Sequence, residues 1–321
     1  MKRAAKAMAV AAVFLAFPFL SVPQETSMQG APARPHILGI AQVTVWTTHP
    51  HAAKDFYSDV LRIIRPTDCE PCDKILPTRY SVNHEQIVGV YPTRNAPHNL
   101  IEEITFATDD LPALRRYLEF HKIAVTAAEK PDVAKPGNMP LTAIDPEGHR
   151  ISFVEWKNSI PAVTAETVDR QEIIHAGFVV KDRAAEDAFY KDVLGFHVYW
   201  HGGMKDGTDD WVDMQVPDGT DWLEYMLNVP ANADHHTLGV MDHMAIGVHD
   251  IHATYDGLVA AGMTLSEKPK IGRDGKWQLN LYDPDDTRVE FMERKPTDKP
   301  CCSAYQGPHP GESRMQATSP Q

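Results

Sequence analysis

The sequence predicts an α+β fold built from four repeated modules, each a strand, a helix and then short strands. Two internal repeats and a repeated turn predict it. Residues 41–47 and 55–63 read Ala-Gln-Val-Thr-Val-Trp-Thr and Asp-Phe-Tyr-Ser-Asp-Val-Leu-Arg-Ile. They match residues 174–180, Ile-His-Ala-Gly-Phe-Val-Val, and 188–196, Ala-Phe-Tyr-Lys-Asp-Val-Leu-Gly-Phe. Gln42 precedes Phe56 by 14 positions, and His175 precedes Phe189 by the same 14. Residues 103–111 likewise match 243–251. Repetition of this kind governs architecture before any single residue does. The turn is Asp145-Pro-Glu-Gly148, echoed by Asp283-Pro-Asp-Asp286, each between apolar strands, which is hairpin chemistry.

The chain's 321 residues are enough for two domains with their own cores. It begins with a targeting pattern: Lys2, Arg3 and Lys6, then an apolar run over 7–20 that is short for a membrane span. Residues 1–23 are therefore expected to direct export to the periplasm or outside the cell. Membrane anchoring through an uncleaved N-terminus is the alternative. Residues 24–36 form a Pro-containing linker, 37–158 a first domain and 170–295 a second. Residues 296–321 lack apolar periodicity and are expected to be disordered. A net charge of −13 argues against a nucleic-acid partner, because a phosphate backbone would be repelled. In an oxidising compartment Cys69 and Cys72 are expected to close a local disulfide. Cys301 and Cys302 are open to several readings: surface thiols, a lipid site or a crosslink.

The first strand of each module in the second half has two unlike faces. Ala176, Phe178 and Val180 alternate with His175, Gly177 and Val179; Met244, Ile246 and Val248 alternate with His243, Ala245 and Gly247. The bulky faces call for helices, expected over 184–194 and 251–261, with Gly195 and Gly262 suited to left-handed caps. The histidine faces carry small neighbours and leave room for a ligand. In the second hairpin Asp286 stands where the first has Gly148, and aspartate tolerates the left-handed conformation better than most residues.

Two carboxylates join the histidines. Glu224 lies among Trp222, Leu223, Tyr225 and Met226, and Glu290 between Val289 and Phe291. A carboxylate in an apolar strand is costly unless paired, protonated or bound to a cation. Each residue taken singly has an ordinary structural explanation. Together, at equivalent positions of two modules, His175, Glu224, His243 and Glu290 predict one divalent ion of the Fe, Mn, Zn, Ni or Co type.

The module order, the Phe-Tyr-x-Asp-Val-Leu-Gly-Phe helix end and the Asp-Pro-x-x-x-x-x-Glu hairpin resemble the vicinal oxygen chelate superfamily, which includes glyoxalase I, extradiol dioxygenases and bleomycin resistance proteins. The resemblance spans about residues 37–295. It implies four βαβββ modules paired into two cupped, mixed-sheet domains, with ligands on first and last strands. Those positions are His175, Glu224, His243 and Glu290 in the second half. In the first half they are Gln42, Glu103 and Ser152, with no ligand in 87–91, so that cup is expected to be degenerate and structural. The resemblance is compatible with a homodimer.

The expected activity is metal-dependent proton transfer of the lyase or isomerase kind on a small substrate chelated through adjacent oxygens, with Glu290 or Glu224 as the base. A ring-cleaving dioxygenase, using His175, His243 and Glu290, is the first alternative. It is disfavoured by the fourth donor Glu224, by the absence of a histidine in 272–280, and by export of a ferrous enzyme. Export also disfavours a glutathione adduct as the substrate. A non-enzymatic small-molecule binder is the second alternative, although such members of the superfamily typically lack metal ligands. Trp200, His201, Trp211, Trp222, His235, His236 and Trp277 are candidates for the pocket entrance.

Overall fold

The alternation read from the sequence organises both sheets. In β8 (Glu172–Val179) Ala176 and Phe178 enter the main apolar core, as do Met244, Ile246 and Val248 of β12 (His243–Val248). His175 and His243 turn to the other face, where Ala245 packs with Ile174, Trp222 and Met292. The computed structural model describes residues 30–57, 78–83, 85–95, 97–127, 139–156 and 171–312. The targeting segment 1–23, linker residues 24–29 and the Cys69/Cys72 pair lie outside them.

The first half forms a seven-stranded sheet from β1 (Ile37–Thr47), β2 (Thr78–Ser81), β3 (Ile87–Pro92), β4 (Ile101–Thr108), β5 (Val125–Ala127), β6 (Leu141–Ile144) and β7 (Arg150–Glu155), in the order β2-β3-β1-β4-β7-β6-β5. The second half adds β9 (His197–Gly202), β10 (Trp211–Gln215), β11 (Trp222–Met226), β13 (Lys270–Ile271), β14 (Trp277–Tyr282) and β15 (Arg288–Glu293). Its order is β13-β14-β15-β12-β8-β11-β10-β9. In each sheet the two module-opening strands pair antiparallel, and each pairs parallel with its own module's last strand. This is the expected α+β arrangement of two curled, mixed sheets.

The helices are α1 (Pro50–Asp55), α2 (Leu111–Phe120), α3 (Arg183–Glu186), α4 (His235–Met241) and α5 (Ile251–Ala260); Ala53 of α1, Leu114 and Leu118 of α2 and Ile251 and Leu258 of α5 enter the core, while Val240 and Met241 of α4 line the cavity described below. Asp110, Asp182, Asp234 and Asp250 cap the last four through side-chain oxygens that accept first-turn N–H groups. The helix expected over 184–194 is not α throughout. It widens to π-helical winding over Asp187–Val193, where Leu194 N–H donates to Phe189 O and the consecutive Phe189 and Tyr190 are both buried. Gly195 and Gly262 take the left-handed caps, and Asp286 matches Gly148 with φ of 66° against 97°.

The halves hold each other reciprocally. In the turn of the second module, Glu147 Oε1 accepts Lys181 N–H (2.7 Å) and Asp182 N–H (2.5 Å) ahead of α3, while Tyr190 Oη donates to Asp145 (3.1 Å). The fourth module does the same for α1: Asp285 accepts Thr48 N–H (2.9 Å), and Tyr57 Oη donates to Asp283 (3.0 Å).

The C-terminal segment departs from expectation. Residues 296–312 form a strap rather than a disordered tail. Thr297 N–H donates to Gly275 O, Cys301 N–H to Arg273 O and Gln306 N–H to Tyr199 O, while the Tyr305 ring packs against that of Tyr199 at 4.7 Å with planes 46° apart. Scattered aromatic contacts and backbone hydrogen bonds hold the strap, and neither needs apolar periodicity. Cys301 and Cys302 are bonded to each other. The end of the linker is held too, by the Arg34–Asp218 ion pair at 2.7 Å.

Candidate metal centre

Strand register lays the polar face of the second sheet out in two rows. One row runs Asp213, Glu224, Gly177, His243, Arg288 across five strands; the next runs Gln215, Trp222, His175, Ala245, Glu290, Asn280. His175 and His243 thus exchange places under the module repeat, as do Glu224 and Glu290. Each histidine has a small residue opposite it on the partner strand, Ala245 for His175 and Gly177 for His243. The room is needed: a Cβ on Gly177 would lie 2.0 Å from His243 Cε1.

The four predicted residues converge, three of them tightly. His175 Nε2 lies 3.0 Å from His243 Nε2, and Glu224 Oε2 lies 2.8 Å from His243 Nε2 and 3.7 Å from His175 Nε2. Glu290 Oε2 is 3.8 Å from His175 Nε2 and 3.6 Å from Arg288 Nη1. Ligand atoms of His175, Glu224 and His243 all fall within 4.8 Å of one another.

Protonation follows from the surroundings. Burial pushes both imidazoles below their ordinary value, so they stand neutral. His243 Nδ1 is 2.7 Å from the carbonyl of Met241, which can only accept; Nδ1 therefore carries the proton and Nε2 offers a lone pair. Burial acts to raise Glu224, but the positive charges of Arg288 and Lys276 act against burial, and the carboxylate lies below its usual value. Burial raises Glu290 to about 7 and, together with the charge of Glu224, raises Asp213. Glu290 Oε1 and Asp213 Oδ1 are buried without a hydrogen-bond partner. Neutral nitrogen and anionic oxygen donors facing one point, with lone pairs to spare, fit a borderline divalent cation.

The centre opens into a cavity of about 470 Å³. Trp200, Trp211 and Trp222 line it as expected; His201, His235, His236 and Trp277 do not. His201 is turned to Asp209 (2.7 Å), and Trp277 packs with His252. Sequence reasoning missed Asp213, Arg288 and Lys276. Asp213 gave the same signal as Glu224, a carboxylate between apolar strand residues, but without a repeat partner to draw attention to it.

Residues 172–291 match the model of the Glyoxalase/Bleomycin resistance protein/Dioxygenase superfamily. A lactoylglutathione lyase of Haemophilus influenzae is 28% identical over 128 residues, covering 39% of this chain and 95% of that protein. The 2,3-dioxygenase LapB from Pseudomonas sp. KL28 superposes with a TM-score of 0.60 at 13% identity, over 84% of this chain and 98% of that one. Homoprotocatechuate 2,3-dioxygenase from Arthrobacter globiformis gives 0.60 at 16% identity, over 85% of each chain. These two likenesses extend through both sheets and concern the fold. The second cupped sheet, residues 172–291, belongs to the glyoxalase, bleomycin resistance protein and dioxygenase superfamily.

Proposed function

We propose that the second cup holds one divalent ion on His175, Glu224 and His243, with Glu290 as an outer donor. We further propose that the protein is a lyase or isomerase moving a proton on a small substrate with two adjacent oxygens. The convergence of two neutral imidazoles and Glu224 within hydrogen-bond distance carries this reading. Charge supports it as well. The buried carboxylates Asp213, Asp274 and Glu290 and the largely covered Glu224 face Lys276, Arg288 and, beside Glu290, Lys270, an excess of one negative charge when all are ionised. When bound, the ion supplies Lewis acidity toward the substrate oxygens.

The chain's own residues do the rest. Glu290 stands apart from the tight set, lines the cavity and has a free buried oxygen, so it serves as the base, with Arg288 beside it as orienter. Trp200, Trp211 and Trp222 exclude water and present flat faces. The relationship to a lactoylglutathione lyase supports the reaction class, and the N-terminal pattern supports export and a thiol adduct other than that of glutathione.

The test is metal analysis of protein purified without chelators or nickel resin, followed by turnover of 2-oxoaldehyde adducts of glutathione and smaller thiols, and of catechols. One ion per chain and isomerisation of an adduct are expected. Absence of any bound or bindable divalent metal overturns the reading. Ring cleavage by the Fe²⁺-loaded protein replaces it with dioxygenase chemistry.

A further inference from the structure

A cation is buried in the aromatic wall beside His175. Lys276 sits just before β14, fully buried, and its Nζ has no hydrogen-bond partner. Nζ lies 4.2 Å from the ring centroid of Trp222, 5.0 Å from that of Tyr199 and 5.1 Å from that of Tyr305. Three aromatic faces replace the acceptors a buried ammonium ordinarily requires. Tyr305 belongs to the C-terminal strap and is anchored by its hydroxyl, which donates to Asp274 O (2.8 Å). Nearby carboxylates compensate its charge, but placing an ammonium without hydrogen bonds out of water is costly, so its presence calls for a role.

Trp222 links this charge to the metal centre. Its ring lies 4.7 Å from that of His175, with planes 32° apart. The two histidines are oriented by different means. His243 donates from Nδ1 to Met241 O, whereas the buried Nδ1 of His175 has no partner. Ligand imidazoles are ordinarily aimed by a hydrogen bond from the second nitrogen. His175 has an indole instead. That indole is itself untethered, because its buried Nε1 has no partner either. Its plane is set by packing alone, against the Lys276 ammonium at 4.2 Å and the Tyr199 ring at 5.2 Å.

We propose that Lys276 is a positioning residue for the candidate metal centre, holding Trp222 against the imidazole of His175 in place of the missing hydrogen bond. The proposal rests on the metal reading above. It assigns the strap a purpose, since Tyr305 completes the cage that keeps Lys276 over the indole.

The test is a double-mutant cycle in the full chain, read as affinity for Zn²⁺ or Co²⁺ by competition with a chromogenic chelator, and as the visible absorption of the Co²⁺-loaded protein. Lys276→Met is expected to weaken binding about tenfold, the scale of outer-shell effects, and to alter the Co²⁺ spectrum. Lys276→Arg, which keeps a cation on the indole, is expected to restore both. Trp222→Leu should cost as much, and Lys276→Met added to Trp222→Leu should cost nothing more. Additive losses, or wild-type affinity in Lys276→Met, overturn the proposal. If Lys276→Met fails to fold, Trp222→Leu decides: unchanged affinity overturns the proposal, and loss with a retained melting temperature supports it. A wild-type chain that binds neither ion removes the metal reading and this proposal together; a wild type that binds, with an indifferent Lys276→Met, removes the proposal alone.

Discussion

Glu186 occupies in the third module the place that Ala53 occupies in the first, four residues ahead of the matching tyrosines Tyr190 and Tyr57. Both are fully buried. One Glu186 oxygen accepts Glu147 N–H (3.0 Å); the other has no partner. Beside it, Asp145 accepts from Tyr190 and lies 2.7 Å from His149 Nδ1. Burial, then the charges of Asp145 and Glu147, raise the Glu186 carboxyl to about 9. In the unfolded chain it titrates near about 4.3. Between those values the folded state holds the extra proton, so this contribution to stability is complete below the unfolded value and is lost as pH rises toward 9. Glu186→Gln is expected to flatten the fall of melting temperature between pH 5 and 9 and to melt higher than wild type at the alkaline end. An unchanged slope would count against it.

The first cup keeps the geometry and changes the side chains. By register Gly89 stands where Glu224 does, Glu103 where His243 does, Gln42 where His175 does and Ser152 where Glu290 does. Gln42 donates to Thr44 Oγ1 (2.7 Å), Arg150 pairs with Glu103 (3.0 Å), and Ser152 meets Thr142 (2.8 Å). Polar groups that satisfy one another leave no lone pairs aimed at a shared point. Gln42→Ala and Glu103→Ala should leave the metal content per chain unchanged in elemental analysis. Halved content in either variant would mean a second working centre.

The histidines and carboxylates of the centre are legible in the sequence because they break strand patterns that repeat. His175 and His243 sit on the small-residue faces, and Glu224 and Glu290 sit between bulky residues. The rows are not legible. That Gly177 lies between Glu224 and His243 depends on the spatial order β11-β8-β12, a long-range pairing that local patterns do not encode. Lys276 and the strap escape for another reason. Their order comes from single contacts, Tyr305 on Tyr199 and an ammonium on Trp222, between residues far apart in sequence and without a period.

The centre divides into a tight set and an outlier, which predicts unequal mutants. Glu224→Ala and His243→Ala each remove an atom of the 2.8 Å pair, and binding is expected to fall at least about a hundredfold, beyond the range of outer-shell changes. Glu290, 3.8 Å from His175 and turned toward Arg288, should behave differently. Glu290→Gln is expected to lower metal affinity by about tenfold or less, at the outer-shell scale, while abolishing turnover. Chelator competition alongside turnover separates the two. Equal loss of metal in Glu290→Gln and Glu224→Ala would make Glu290 a full ligand.

Gly177 gives the sharpest test of the register. Glycine within a strand is ordinarily a weak choice, and alanine there would favour the fold by roughly 0.5–1 kcal/mol. Here the sign should reverse, because the space belongs to His243. A Cβ would meet its Cε1 at 2.0 Å and its Nδ1 at 2.4 Å. The ring has little freedom to yield, since Nδ1 is held at 2.7 Å by the Met241 carbonyl and the side chain is wholly buried. Overpacking of this kind costs roughly 1–3 kcal/mol. Gly177→Ala is therefore expected to lower the melting temperature and to lose the metal, since the displaced imidazole no longer faces Glu224. Gly257→Ala is the control: it lies in α5 with nothing within 4 Å of the added carbon, and should gain up to about 1 kcal/mol. Wild-type metal affinity in a fully folded Gly177→Ala would show that His243 does not depend on the gap opposite it, and the row geometry would lose its claim to shape the centre.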